Sequence, residues 1–229
     1  DVSKHFTKIL ELDIAKKQVR VEPGVIRDEL NTFLAPHGLF FGPNTSTGNR
    51  CMIGGMVGNN SSGTTSIQYG VTREKIAAIE AVLWDGSLVV FNPLNKSDFQ
   101  EKMKEASAEG QLYKGLYELL SPKDVQKEII DAFPKKEIHR RNTGYAIDLL
   151  LESEALGGDS EFFKMSDLLS GSEGTLAFTT QVTLQLNELP PSFTAMVVTH
   201  YNSLQDCLQD VVPVMKHNLY TCEMMDKII

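Results

Sequence analysis

The sequence lacks long apolar runs and has little cysteine. A helix needs about 20 consecutive apolar residues to span a bilayer, and no stretch of this chain approaches that length. Its three cysteines, Cys51, Cys207 and Cys222, are widely spaced and form no CxxC pair. Neither a disulfide framework nor a cysteine-based metal site is therefore indicated. The amino-terminal residues also do not resemble a signal peptide, and together these absences favour a cytoplasmic protein.

Positive charge is also scarce. The chain has 22 lysines and arginines against 30 aspartates and glutamates, which gives a formal net charge of −8. This excess of negative charge disfavours nucleic acid and anionic membrane surfaces as partners. The 229 residues, 41% of them hydrophobic, suffice for one large or two small domains.

Several common catalytic motifs are missing. There is no GxGxxG or GxxxxGK[ST] sequence, so neither a dinucleotide-binding Rossmann fingerprint nor a phosphate loop is predicted. The GxSxG motif of hydrolases is also absent. The five histidines form no HExxH motif or close pair, and no metal site is expected. These are His5, His37, His139, His200 and His217.

The most informative segment runs from residue 40 to 63 and reads FFGPNTSTGNRCMIGGMVGNNSSG. Pro43 and Asn44 are typical of a turn, and two adjacent glycines, Gly54 and Gly55, let another group approach the backbone closely. The short polar side chains from residue 59 to 62 can supply hydrogen bonds. An ordinary surface loop would share this composition, but the interspersed Met and Ile residues favour a loop that wraps a ligand.

Hydrophobic patterning predicts an α+β fold with a mixed or antiparallel sheet flanked by helices. Two hairpins are expected, one over residues 6–22 and one over 76–91 with Asp85 and Gly86 at its turn. Two or three helices are expected over residues 97–133, broken near Gly110 and Ser121. The other predicted elements are helices at 25–34, 162–169 and 204–215, strands at 175–186 and 195–200, and a linker at 187–191.

Five motifs carry a resemblance to a known family. They are the 40–63 segment, VEPGV from Val21, YGVTRE from Tyr69, DGS from Asp85 and GSEGTLA from Gly171. In order and spacing they resemble the flavin domain of the vanillyl-alcohol-oxidase and p-cresol-methylhydroxylase superfamily. Within it, the chain is most similar to the FAD-linked glycolate, D-lactate and D-2-hydroxyglutarate dehydrogenases, and nearest to members fused to an iron–sulfur domain.

The resemblance implies a set of residues that bind FAD noncovalently. Glu173 is expected to be a buried carboxylate that accepts backbone N–H bonds. Asn142 and Tyr145, in the sequence RRNTGY, correspond to a segment that approaches the active site. The implied FAD-binding residues are Pro43 and Thr45 along the adenosine and pyrophosphate, Ile53, Gly54, Gly55, Asn59 and Ser61 by the flavin and ribityl chain, and Glu173, Gly174 and Thr175 in a second turn.

The resemblance also implies an enzyme larger than this chain. Residues 1–190 would form part of an FAD-binding domain and residues 191–229 the start of a substrate domain. The family's glycine-rich pyrophosphate loop, of the type RGGGTS, does not occur in the sequence. We therefore expect the chain by itself to bind FAD weakly or not at all and to be inactive.

The implied reaction is the oxidation of a D-2-hydroxy acid (D-lactate, D-2-hydroxyglutarate or glycolate) to the 2-oxo acid. Electrons would leave the flavin through an iron–sulfur domain or a quinone, and any membrane association would come through that partner. Two alternatives remain. One is a flavin reductase of the UDP-N-acetylenolpyruvylglucosamine type, against which the helical insert before RRNTGY argues. The other is a noncatalytic module that retains the fold.

Overall fold

The computed structural model describes residues 2–138, 140–141 and 144–227. The predicted α+β class is confirmed, and every pair in the main sheet is antiparallel. Within the described residues the strands are β1 (Ile9–Asp13), β2 (Gln18–Val21), β3 (Leu39–Phe40), β4 (Ile76–Val82), β5 (Leu88–Phe91), β6 (Leu94–Asn95), β7 (Phe162–Phe163), β8 (Phe178–Gln185) and β9 (Asn187–Glu188). The helices are α1 (Arg27–Leu34), α2 (Ile53–Asn59), α3 (Ser66–Tyr69), α4 (Lys96–Lys102), α5 (Ala108–Leu120), α6 (Lys123–Ala132), α7 (Ile147–Leu150), α8 (Met165–Leu169) and α9 (Leu204–Val214).

The main sheet has five strands in the order β1-β2-β8-β4-β5. A row of apolar residues crosses four of them, because Val21 pairs with Val182, Val182 with Ile79, and Ile79 with Phe91. None of the four is more than 2% exposed. Since side chains alternate between the two faces of a strand, this register places one face of the sheet in the core.

Both predicted hairpins are present. β1 pairs with β2, and β4 pairs with β5 across a turn at Asp85 and Gly86. Gly86 has a φ of +86°, which glycine adopts without strain. The Asp85 carboxylate accepts hydrogen bonds from the backbone N–H and the hydroxyl of Ser87. Turn residues that can be recognised in the sequence therefore define the second hairpin.

The predicted helical region forms three helices, α4, α5 and α6, but the first break was wrongly placed at Gly110. The chain breaks instead over residues 103–107, and Gly110 lies in the first turn of α5. Ser107 caps α5 by accepting a hydrogen bond of 3.1 Å from the Gly110 N–H. A Cβ atom on Gly110 would lie 2.4 Å from the carbonyl oxygen of Glu105, so this glycine allows the two segments to pack closely.

The carboxyl-terminal third departs most from prediction. Residues 195–200 form no strand and are exposed, so that strand prediction was wrong. Residues 162–169 begin with the short strand β7, which pairs with β6, before helix α8 starts. Part of the expected linker is also a strand, because β9 pairs with β3. The buried apolar cluster ends at Leu186, and no described residue beyond it belongs to that cluster.

The described helices include none that is long and apolar enough to cross a membrane.

Candidate functional site

The glycine-rich part of the 40–63 segment forms helix α2, although its composition predicted an open loop. Ile53, Met56 and Val57 are buried, whereas Gly55 and Asn59 are exposed. The apolar residues that looked unusual in a surface loop therefore form the core-facing side of a short helix. The opposite side carries glycine and asparagine, so backbone is accessible there.

The start of α2 is held by the VEPGV segment. The N–H of Ile53 donates to the carbonyl of Val25 at 2.9 Å, and the N–H of Gly54 donates to the carbonyl of Pro23 at 2.8 Å. A Cβ atom on Gly54 would lie 2.6 Å from Cβ of Pro23, so Gly54 is needed for packing. Gly55 differs, because a Cβ atom there would meet no atom within 4 Å.

The second motif, GSEGTLA, folds against the end of α2. The N–H of Gly171 donates to the carbonyl of Val57 at 3.0 Å, and the N–H of Glu173 donates to the carbonyl of Gly58 at 2.9 Å. These carbonyls lie at the end of α2, where a helix leaves acceptors unsatisfied. Two motifs that are far apart in sequence thus form one corner of the molecule.

We call residues 171–175 the GSEGT turn. Glu173 and Gly174 both have positive φ, +53° and +72° respectively. A Cβ atom on Gly174 would meet no atom within 4 Å, so this glycine, like Gly55, borders open space. The prediction that Glu173 is a buried carboxylate was wrong, because the residue is exposed and the turn is held through its backbone N–H.

Tyr145 lies against the same turn. Its hydroxyl is 2.7 Å from the hydroxyl of Thr175, which in turn donates to the carbonyl of Ser172 at 2.6 Å. Since a threonine hydroxyl has a single hydrogen, the Tyr145 hydroxyl is the donor to Thr175. The structure therefore joins two of the sequence-predicted site residues directly. Asn142 lies outside the described residues.

Further polar groups surround the far end of α2. The side-chain amide of Asn59 donates to the Ser61 hydroxyl at 3.0 Å. Arg140, from the RRNTGY segment, donates to the Ser62 hydroxyl at 3.0 Å and is exposed. This end of the helix therefore combines amide, hydroxyl and guanidinium groups next to the GSEGT turn.

Pro43 and Thr45 are placed near the other end of α2. The Thr45 hydroxyl is 3.2 Å from Sγ of Cys51, which comes just before the helix. The carbonyl of Pro43 accepts a hydrogen bond of 3.0 Å from Arg27. Thr45 therefore lies near the start of α2, and Asn59 and Ser61 lie at its other end.

Arg73 is central to this corner, although no pattern in the sequence assigns it a role. It is 7% exposed, and its guanidinium donates to the carbonyls of Asp167, at 3.0 Å, and of Ser170. Its backbone N–H donates to the side chain of Asn60 at 2.9 Å. Nothing in the motif YGVTRE separates this arginine from a surface residue, so only the fold reveals its position.

Burial dominates the electrostatics behind the GSEGT turn. It lowers the pKa of Arg73, an effect that Asp167 opposes. It also raises the pKa of Asp167 to about 6, although Lys164 and Arg73 act in the opposite direction. This carboxyl group therefore titrates well above the usual range of aspartate.

The corner has features that suit a flat ligand with polar edges. Gly55 and Gly174 each leave room at the backbone. Asn59, Thr175 and Tyr145 are exposed and carry amide or hydroxyl groups. A separate cleft of about 420 Å³ is lined by Tyr69, Tyr220 and neighbouring residues, and none of its lining residues belongs to α2 or the GSEGT turn.

Comparison with known families agrees with these features. Residues 1–92 match the FAD binding domain family. This part of the chain is similar to that family. The match covers the sequence from β1 to β5, including α2, and it confirms the resemblance to flavoproteins. The GSEGT turn lies outside the matched part of the FAD binding domain.

Several similar proteins are named D-2-hydroxyglutarate dehydrogenase, and three of them illustrate the similarity. The one from Haemophilus influenzae is 35% identical over 228 residues, the one from Pseudomonas putida 32% over 228, and the one from Escherichia coli 33% over 226. Each similarity covers 99% of this chain and 21% of the relative. The chain thus spans about a fifth of the length of these relatives.

Proposed function

We propose that this chain forms part of the FAD site of a larger flavin-dependent dehydrogenase, which oxidises a D-2-hydroxy acid to the 2-oxo acid. One observation carries the site proposal: α2 and the GSEGT turn meet, and the two glycines, Gly55 and Gly174, leave the backbone open there. The family match and the names of the relatives support the cofactor and the substrate class.

We assign different contacts with the cofactor to different groups of the proposed residues. Gly55 and Gly174 allow backbone to approach the cofactor closely. Asn59, Ser61 and Thr175 offer hydrogen bonds to its polar groups. Pro43 and Thr45 lie toward the adenosine and pyrophosphate, Ile53 and Gly54 hold α2 in place, and Glu173 contributes through the turn that it forms.

The remaining roles concern the substrate side. FAD, when bound, supplies an acceptor for the hydride on the substrate α-carbon. Tyr145 and Asn142 belong to the segment that we place toward the active site. Residues 191–229 would begin the substrate domain, and the base that takes the hydroxyl proton would come from another part of the protein. An iron–sulfur or quinone acceptor and a cytoplasmic location complete the proposal.

The reaction can be tested on the full-length protein. We expect purified protein to contain FAD, and we expect a D-2-hydroxy acid to remove the visible absorbance of oxidised flavin under anaerobic conditions. D-2-Hydroxyglutarate, D-lactate and glycolate would be compared, with the L-enantiomers as controls. Bleaching by a reduced nicotinamide alone would instead support the reductase alternative, and bound FAD that no substrate reduces would support a noncatalytic module. A protein that does not bind FAD would overturn the whole proposal.

The cofactor site has a matched pair of variants. Gly55→Leu places a large side chain where we propose that FAD lies, and Gly115→Leu makes the same change in α5, where a Cβ atom also meets no atom within 4 Å. We expect the first variant alone to lose FAD, as measured by the ratio of flavin to protein after gel filtration. Equal FAD content in the two variants would contradict the assignment of Gly55.

The chain of 229 residues provides a further test. Because it contains no glycine-rich pyrophosphate loop, we expect isothermal titration with FAD to show weak binding or none. Tight stoichiometric binding would show that this chain carries a complete site.

A further inference from the structure

Arg73 is a buried cation whose partners are backbone carbonyls. Placing a guanidinium group at 7% exposure is costly unless its N–H groups are well satisfied. Two of them donate to the carbonyls of Asp167 and Ser170, at the end of α8. The last carbonyls of a helix have no partners within it, so Arg73 supplies donors where the fold would otherwise lack them.

The partner carbonyls lie directly before the GSEGT turn. Ser170 is followed by Gly171, whose φ is +91° and whose added Cβ atom would be 2.9 Å from Nη2 of Arg73. Glycine at this position therefore leaves room for the guanidinium. The planar fork of arginine can hold two acceptors at fixed spacing, which the single ammonium group of lysine cannot.

Arg73 is also tied to α2. Its backbone N–H donates to the side chain of Asn60, the residue that ends α2 in a left-handed conformation. The N–H of Gly171 completes the link by donating to the carbonyl of Val57. Arg73 thus connects the end of α8, the GSEGT turn and the end of α2 through polar contacts with defined geometry.

We infer that Arg73 is a positioning residue: it fixes the GSEGT turn against α2 and thereby sets the affinity for the cofactor without touching it. This inference rests on the proposed function, because it takes Gly174 and Thr175 of the GSEGT turn to contact FAD. If Arg73 only stabilised the fold, a substitution of Arg73 that leaves the core intact would not change the affinity for FAD. The two roles can therefore be separated by experiment.

The main test compares two arginine-to-lysine variants of the full-length protein. Arg73→Lys keeps the charge but cannot hold both carbonyls, whereas Arg20→Lys alters an exposed arginine of β2 that binds Glu11 and Gln181. We expect FAD to bind about tenfold more weakly or worse to Arg73→Lys, the loss of one charge-assisted hydrogen bond. Arg20→Lys should bind FAD like the unchanged protein.

Amide hydrogen exchange gives a readout that does not depend on FAD. We expect the Glu173 N–H, which bonds to Gly58, to exchange faster in cofactor-free Arg73→Lys, while the N–H of Val182 in β8 stays protected as before. Faster exchange at both positions would show general destabilisation and would overturn the inference. Unchanged exchange at Glu173 would overturn it as well.

Chemical rescue covers the case in which Arg73→Lys folds poorly. Arg73→Ala leaves two carbonyls and a space of guanidinium shape, so low concentrations of methylguanidinium should restore FAD affinity, and methylammonium should not. Failure of rescue in a folded Arg73→Ala protein would count against the inference. If the unchanged protein bound no FAD, the proposed function would fail, and the exchange experiment would still decide whether Arg73 orders the turn.

Discussion

The corner formed by α2 and the GSEGT turn has two sides that differ in almost every physical respect. On the inner side, Ile53 is fully buried and Arg73 is largely so. On the outer side, Gly55, Gly174 and Tyr145 are exposed, and the two glycines border open space. Helix α2 contributes to both sides, with Ile53 on the inner side and Gly55 on the outer side. Stability and ligand contact are therefore assigned to different residues and can be altered separately.

The largest effect is expected on the inner side. Ile53→Ala should lower the free energy of unfolding by about 2–5 kcal/mol, because it removes buried methyl groups and leaves a cavity. Ile67→Ala, at a position that is 42% exposed, should change it by less than about 0.5 kcal/mol. Chemical denaturation of both variants checks this, and similar losses would show that α2 is not anchored through its inner side.

Asp167 makes the inner side sensitive to pH. Its pKa is raised from 3.8 to about 6 on folding, so the folded state binds this proton more tightly than the unfolded state does. The stabilisation from protonated Asp167 is complete below pH about 4 and is lost as the pH rises through about 6. Asp167→Asn replaces the carboxyl group with an amide that does not titrate, so the variant does not lose this stabilisation as the pH rises.

The stability of Asp167→Asn relative to the unchanged protein should therefore increase between pH about 4 and 7, by up to about 3 kcal/mol. Denaturation curves at several pH values would measure the difference, in which the titration of the other carboxylates cancels. A difference that does not vary with pH would mean that Asp167 titrates normally in the folded protein.

A smaller effect is expected from Gly174→Ala. The added methyl group meets no atom within 4 Å, so its cost comes from the φ of +72° and should be about 1–2 kcal/mol. Gly115→Ala adds a methyl group in equally open space inside α5, where it should stabilise the protein by about 1 kcal/mol. Opposite signs in thermal unfolding are expected, and a gain from both changes would refute the role of backbone conformation at Gly174.

The smallest effect should come from Tyr145→Phe, which removes the hydroxyl that donates to Thr175. Both residues are exposed, so water can replace the lost bond and unfolding should change by less than about 0.5 kcal/mol. Thermal unfolding provides the check. A large loss of stability would place Tyr145 among the stabilising residues and would contradict the separation of stabilising and ligand-contacting residues between the two sides.

Local signals in the sequence were enough to predict much of the fold. Both hairpins, the helices at 25–34 and 204–215 and the three helices before residue 133 depend on turn residues and periodicity, which act over a few positions. The break at residues 103–107 was missed, because the glycine at Gly110 indicated a helix break there and the capping serine at Ser107 was not recognised. Residues 195–200 have strand-like composition, but no described strand pairs with them.

The candidate site could be predicted only in part from the sequence. Its two glycine-bearing motifs stood out, but the sequence could not show that α2 is a helix with one buried side. Glu173 is exposed and has a positive φ, a conformation that is uncommon for residues other than glycine and that composition does not predict. Arg73 is buried because α8 and α2 converge on it, and a contact between segments so distant leaves no local pattern.

The position of β8 in the sheet has a consequence for how the protein is made. This strand lies between β2 and β4, although it is synthesised long after both. During translation, β2 and β4 cannot pair with β8 until β8 has been synthesised. Such late, long-range pairing is slow and leaves the edges of the earlier strands exposed. The GSEGT turn shortly precedes β8 in the chain. It therefore also leaves the ribosome late, and only then can it pack against α2.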